Sequence, residues 1–179
     1  GLTAMNTRED DFVKDLFVTS THDYMMFFNT TGRAFRLKAY EIPEASRTAK
    51  GTAIVNLLQL SQGEKIAAVI PVHDYSEELY VLMATKNGLI KKTKLDEYSN
   101  IRKTGIQGIT LKEDDELIDV RLTDGNSSIV MVTAKGLSIR FGEEEVRAVG
   151  RTSMGVKGIN LAEDDKVIGM EPIENEKDY

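Results

Sequence analysis

The stretch Gly105-Ile-Gln-Gly-Ile-Thr-Leu-Lys-Glu-Asp-Asp-Glu-Leu-Ile118 returns fifty residues later as Gly155-Val-Lys-Gly-Ile-Asn-Leu-Ala-Glu-Asp-Asp-Lys-Val-Ile168. Self-similarity at such a period marks a repeat architecture, in which one unit cannot bury its apolar face without a neighbour. An earlier copy, Gly51-Thr-Ala-Ile-Val-Asn-Leu57, has Ile54 where the others have Gly, and its turn Ser61-Gln-Gly-Glu-Lys65 arrives two or three residues late. The opening Gly1-Leu-Thr-Ala-Met-Asn-Thr-Arg-Glu-Asp-Asp11 is a fourth copy. The leading glycines of the four are spaced 50, 54 and 50 residues apart, a phase that chance does not hold.

A second landmark runs in step. Tyr24 to Asn29 precedes Gly32 and Arg36, Leu79 to Thr85 precedes Gly88 and Lys92, and Ile129 to Thr133 precedes Gly136 and Arg140. Short β-prone runs separated by a turn that ends in Gly predict hairpins, because Gly takes φ > 0 without steric cost. Each unit therefore reads as about four short strands, and the one weak helical pattern, Glu143 to Val149, is too short to matter. Four strands every 50 residues or so predict an all-β, propeller-like ring with one blade per repeat. The units fall at about 21–73, 74–124 and 125–173, after a repeat tail at 1–20 and before an acidic tail at 174–179. Closed propellers need at least ~4 blades, so these three and a half predict a partial ring. The absence of Trp and of a Gly-Gly doublet sets the chain apart from Trp-Asp and kelch propellers. Met25 to Phe28, Leu79 to Met83 and Ile129 to Val132 are near-continuous apolar runs, as expected of strands covered on both faces.

Composition bounds the chemistry. The 179 residues carry 23 Lys and Arg against 29 Asp and Glu, a formal charge of -6, which by itself argues against a nucleic-acid partner. With no Cys and two His, the chain has no thiol catalysis, no disulfides and no Cys-based zinc site. A chain of this length buries roughly 70% of its unfolded surface, so it needs no such staple. No apolar run approaches the ~20 residues that span a bilayer, and the start lacks a basic segment followed by an apolar one. A cytoplasmic location, with no membrane partner, is the expectation.

Dividing each unit at its glycines alters the electrostatic picture. Gly32 to Leu60, Lys86 to Gly108 and Lys135 to Gly158 together hold 16 basic and 7 acidic residues, whereas the rest of the chain holds 7 basic and 22 acidic. Net charges of +9 and -15 thus alternate with the repeat and should fall on different parts of the ring. The candidate anion-binding residues are Arg33, Arg36, Lys38, Lys91, Lys92, Lys94 and Arg140 on the hairpins. Arg47, Lys50, Arg102, Lys103, Arg147, Arg151 and Lys157 join them in the loops before and within the Gly motif. Ser46, Thr48, Ser99, Thr104, Thr152 and Ser153 lie among them. Cations with hydroxyls and glycine amides are the usual donors to phosphate oxygens. No recognition helix, zinc finger or aromatic stacking set accompanies them, so the pattern suits a duplex held by its backbone. Single charges of this kind are ordinarily solubilising; their recurrence in three units favours a track.

The residues now on view resemble a known family. Met5-Asn-Thr-Arg-Glu-Asp-Asp-Phe12, Phe27-Phe-Asn-Thr-Thr-Gly-Arg33, Ser46-Arg-Thr-Ala-Lys-Gly51, Ala84-Thr-Lys-Asn-Gly88 and Gly150-Arg-Thr-Ser-Met-Gly-Val-Lys-Gly-Ile159 are similar to the C-terminal domain of the DNA gyrase A family, and the similarity extends over essentially all of the chain. That resemblance implies a β-pinwheel, a propeller-like ring of six repeats that wraps duplex DNA around its rim and so supports ATP-dependent negative supercoiling. It implies protein partners too: the N-terminal breakage-reunion domain of the same polypeptide, and the gyrase B subunit. Catalysis, ATP and Mg would then belong elsewhere in the enzyme, with no cofactor in this segment. In the family a Gln-Arg-Arg-Gly-Gly-Lys-Gly box precedes the segment matching Met5, and at most its last glycine is present here, as Gly1. The related C-terminal domain of topoisomerase IV lacks that box and is the nearer alternative; a propeller-type protein-interaction scaffold without a DNA role is the more distant one.

An enzymatic reading has less support. His22-Asp23 and His73-Asp74 recur at one repeat position, but a catalytic pair needs a nucleophile in register, and a structural turn is the expectation. The acidic turns Glu113 to Glu116 and Glu163 to Asp165 lack the alternating spacing and Gly of a calcium loop and are expected to be solvated.

Overall fold

A computed structural model describes residues 24–38, 60, 63–102 and 104–174. The first sheet contains β1 (Tyr24–Asn29), β2 (Arg33–Lys38) and β3 (Ile66–Val72); the second, β4 (Tyr80–Thr85), β5 (Leu89–Lys94) and β7 (Leu117–Thr123); the third, β8 (Ser128–Thr133), β9 (Ser138–Gly142) and β11 (Val167–Ile173). Two short strands, β6 (Ile106–Gln107) and β10 (Val156–Lys157), complete the first two sheets, giving the orders β3-β1-β2-β6, β10-β5-β4-β7 and β11-β8-β9. All pairings between these strands are antiparallel. The only helical segments among the described residues are 3-10 turns at Leu95–Tyr98 and Glu143–Glu145. The all-β, propeller-like expectation holds, with one refinement. The fourth strand of each four-stranded sheet comes from the following unit and not from its own.

The hairpins form where the sequence places them, and the turn chemistry repeats. Gly32, Gly88 and Gly136 have φ of 89°, 93° and 90°. The side chain of Asn29 accepts the Arg33 amide at 2.7 Å, Thr85 that of Leu89 at 3.1 Å, and Thr133 that of Leu137 at 3.1 Å. Each hairpin therefore closes with a buried side-chain acceptor four residues before the amide it receives. The Gly motif then crosses over: the amides of Gly108 and Gly158 donate to the carbonyls of Gly32 and Gly88, both at 2.8 Å. A side chain at position 32 would put its Cβ 2.7 Å from Ile109 Cγ2, so glycine serves there both the turn and the close approach.

The cores lie between and outside the sheets. Met26, Phe28, Val81, Met83 and Leu117 pack between the first and second, Leu82, Ala84, Ile129, Met131 and Val167 between the second and third, and Met25, Phe27 and Phe35 on the far side of the first. Alternate residues of β1 and β4 thus enter different cores, which is the physical reason that their sequences are continuous rather than alternating in hydrophobicity.

The acidic turns depart from their expected solvation. Asp115 is buried and its Oδ1 accepts the amides of Asn87 at 2.9 Å and Glu116 at 2.8 Å, fixing the turn of the β4–β5 hairpin. Asp165 does the same for Lys135 at 3.0 Å and Lys166 at 2.9 Å. Glu113, Asp114 and Glu116 are exposed.

Candidate nucleic-acid interface

Loops of two successive units converge on a polar notch of about 520 Å³. Asn100, Arg102, Thr104, Gln107, Arg151 and Thr152 line it. One wall is the loop after the 3-10 turn of the second unit, and the other is the turn before β10. Cross-links hold the walls in register: Thr110 Oγ1 donates to the Thr152 carbonyl at 2.5 Å, the Thr110 amide to the Ser153 carbonyl at 3.3 Å, and the Arg151 guanidinium to the Gln107 carbonyl. The Glu97 carboxylate accepts the Arg151 amide at 3.1 Å. Two arginines, two threonines and two amide side chains thus line one opening, with the Gln107 amide also donating to Thr110 Oγ1 at 2.7 Å.

The predicted cations other than Lys91 and Lys92 divide into three groups. Lys94, Arg102, Arg140, Arg147 and Lys157 are exposed. Arg33, Arg36, Lys38 and Arg151 are half-buried. Arg33 pairs with Glu64 at 3.2 Å, donates to the Thr104 carbonyl and lies 4.9 Å from the Phe35 ring. Arg36 donates to the Ser99 carbonyl at 2.9 Å and stacks 4.9 Å over Tyr24 and 5.7 Å over Tyr75, whose phenol burial pushes up to about 12. Arg47, Lys50 and Lys103 lie outside the described residues.

Lys91 and Lys92 do not lie on an exposed rim. They are 1% and 7% exposed. Lys91 Nζ donates to the carbonyls of Gly108, at 2.7 Å, and Arg151, whereas Lys92 Nζ donates to the Glu143 carbonyl at 3.3 Å and sits 4.7 Å over the Tyr80 ring. Neighbouring residues on a strand project to opposite faces, so a Lys-Lys pair could not serve one surface; that alternation was the signal in the sequence. Asn100 and Gln107 escaped the sequence reading because an uncharged donor leaves no mark in a charge pattern.

The other candidates resolve into structure. His73 and Asp74 are exposed, and Asp74 Oδ1 accepts the Ser76 amide at 2.8 Å and hydroxyl at 2.7 Å, which holds its carboxyl below the usual range. His22 and Asp23 lie outside the described residues. Among the described residues no group of three His, Asp or Glu could hold a metal ion, and no helix is long and apolar enough to cross a membrane.

Comparison with known proteins follows the same lines. The profile of the DNA gyrase C-terminal domain, beta-propeller, matches residues 1–20, 23–73, 79–124 and 127–174. The DNA gyrase A subunit of Clostridium acetobutylicum is 55% identical over 158 residues, 88% of this chain and 19% of that protein. Its counterpart from Staphylococcus epidermidis is 47% identical over 99% of this chain and 20% of its own length. The chain therefore spans about a fifth of the curated relatives it matches. Among solved structures, the C-terminal domain of DNA topoisomerase IV superposes with a TM-score of 0.78 at 35% identity, covering 87% of this chain and 48% of that one. A DNA gyrase A C-terminal domain superposes with a TM-score of 0.69 at 24% identity, covering 85% and 48%, a likeness of fold. With the profile matched across nearly the whole repeat array, the chain belongs to the DNA gyrase C-terminal domain family of β-propellers.

Proposed function

We propose that this domain binds duplex DNA without sequence preference, by its phosphates, and wraps it as part of a type IIA topoisomerase that introduces negative supercoils. The observation that carries the reading is the inter-unit notch, with Arg102 and Arg151 lining one opening and exposed Lys94, Arg147 and Lys157 available on the same successive units. Curving ~20–30 bp by 40–90° costs of order 1–6 kcal/mol, so cations on several units are needed to offset it. Units at about 21–73, 74–124 and 125–173 would each contribute a share. In the longer protein the partners would be the breakage-reunion domain of the same polypeptide and the gyrase B subunit, in the bacterial cytoplasm, with strand cleavage and ATP use outside this segment. The gyrase assignment over topoisomerase IV is favoured by 55% and 47% identity to two gyrase relatives, although a topoisomerase IV domain gives a TM-score of 0.78.

A titration of the chain on a fluorescent duplex of random sequence tests the reading. With five phosphates neutralised, a slope of about -0.9 per phosphate weakens binding roughly 500-fold between 50 and 200 mM salt. Binding that is absent, or indifferent to salt, would refute it. A topoisomer shift in relaxed plasmid, read after religation, tests wrapping separately.

A further inference from the structure

Lys91 joins three segments drawn from two successive units. It lies on β5, its ammonium holds the carbonyl of Gly108, in the loop after β6, and it holds that of Arg151, in the turn before β10. β6 is paired to the first hairpin and β10 to the second. The hydroxyl of Tyr98 donates to the same Gly108 carbonyl at 2.9 Å. The charged and titratable groups facing the ammonium are Glu97, Tyr98 and Arg151.

A desolvated ammonium is costly, and the sheet does not require one. The same position, three residues after the turn glycine, is Phe35 in the first unit and Ile139 in the third. A lysine where its counterparts are apolar points to a task particular to this junction. Of the two carbonyls it grips, one belongs to Arg151, which lines the polar notch, and the other to Gly108, which directly follows Gln107 of the facing wall.

We propose that Lys91 is a positioning residue for the notch: by holding the Gly108 and Arg151 carbonyls together, it sets the separation of the Arg102 and Arg151 guanidinium groups that receive phosphate oxygens. The proposal rests on the DNA-binding reading for its ligand. Burial pulls the ammonium down to about 7, with Glu97 opposing and Arg151 reinforcing. A neutral amine still has an N–H for each carbonyl, and the desolvation penalty on the charged form disappears as the proton leaves, so the grip tightens as pH rises through that value.

The test combines a double-mutant cycle with hydrogen exchange on the 179-residue chain. Lys91→Met and Arg151→Ala should each weaken binding of a random-sequence duplex about fivefold at about pH 8, and the double variant should be no weaker than Arg151→Ala. Additive losses would mean that Lys91 acts independently of Arg151 and would overturn the proposal. The wild type should gain about threefold in affinity relative to Lys91→Met as pH rises from about 6 to about 8.5; parallel profiles count against it. Without DNA, amides of residues 104–110 and 150–153 should exchange faster in Lys91→Met than in the wild type, and Lys91→Arg should restore most of the protection. Unchanged exchange would overturn the proposal even if the wild type fails to bind DNA, in which case the DNA reading alone falls. Should Lys91→Met not fold, the same amides are followed in the wild type across that pH range after correction for intrinsic exchange. Their protection should rise relative to β4, and constant protection overturns the proposal.

Discussion

The β4–β5 and β8–β9 hairpins hold the same place in successive units, close with the same turn glycine, and have unlike surroundings. A Cβ on Gly88 would meet the Ile159 carbonyl oxygen at 3.0 Å and its Cγ2 at 3.2 Å, whereas one on Gly136 would meet nothing within 4 Å. Lys92 is buried against Tyr80 and Glu143, and its counterpart Arg140 is exposed. Lys91 is buried, and its counterpart Ile139 is 37% exposed. The difference is the cover given by the following unit: its β10 pairs with Leu89 and Ile90 of β5 and its Glu143 turn lies on Lys92, whereas β9 has no equivalent strand partner among the described residues. A cation that recurs in sequence is therefore not a cation that recurs in role. Where the following unit covers the hairpin, a lysine that would be on the surface becomes internal.

The sharpest way to break the comparison is to reverse the two counterpart cations. Lys92→Glu would set a carboxylate against the Glu143 carbonyl and the Tyr80 ring face, and should lower stability by about 3–5 kcal/mol, as expected for an uncompensated buried charge. Arg140→Glu, in solvent, should change it by less than ~0.5 kcal/mol. Urea unfolding of the two variants decides; equal losses would show that the hairpins are equivalent after all.

The next effect separates Lys91 from Ile139. With its folded pKa lowered from 10.5 to about 7, Lys91 binds fewer protons folded than unfolded between those values. Stability therefore rises with pH across that window, and the penalty is fully present below pH 7. Against Lys91→Met as reference, the wild type should gain about 3 kcal/mol between neutral pH and about pH 10, discounting the full shift for residual solvent screening. A difference that does not vary with pH would contradict a desolvated ammonium.

Smaller again is the glycine pair. Gly136→Ala meets only the left-handed backbone penalty of roughly 1–2 kcal/mol, while Gly88→Ala should add ~1–2 kcal/mol for displacing Ile159; calorimetric melting of both variants measures the gap. The least single effect is expected at Asp165, in the comparison of the two acidic turns. Asp115→Ala, which strips acceptors from a buried turn, should cost about 1–3 kcal/mol, and Asp165→Ala, at the less covered hairpin, under ~1 kcal/mol. The opposite order in urea unfolding would break the correspondence between coverage and turn stability.

Much of the fold is legible in particular residues. Gly32, Gly88 and Gly136 announce the hairpins because no other residue takes those φ values freely. The continuous runs at Met25 to Phe28 and Val81 to Met83 announce strands covered on both faces. The candidate site was legible only in outline. Arg102, Arg151, Thr104 and Thr152, named from their repeat position, do converge on the notch. Asn100 and Gln107 carry no charge and leave no pattern, and Asp115 looked like its exposed neighbours Glu113 and Asp114. Burial distinguishes Asp115, and burial is a property of what packs over it.

The sequence by itself determined the period, the hairpins and the separation of +9 from -15 along the chain, because these depend on residues close to one another and on the geometry of single turns. Only the tertiary structure decided which cations reach solvent and which unit completes which sheet. Those outcomes rest on contacts such as Lys91 with Arg151 and Gly88 with Ile159, between residues 60 and 71 positions apart, which no local pattern encodes.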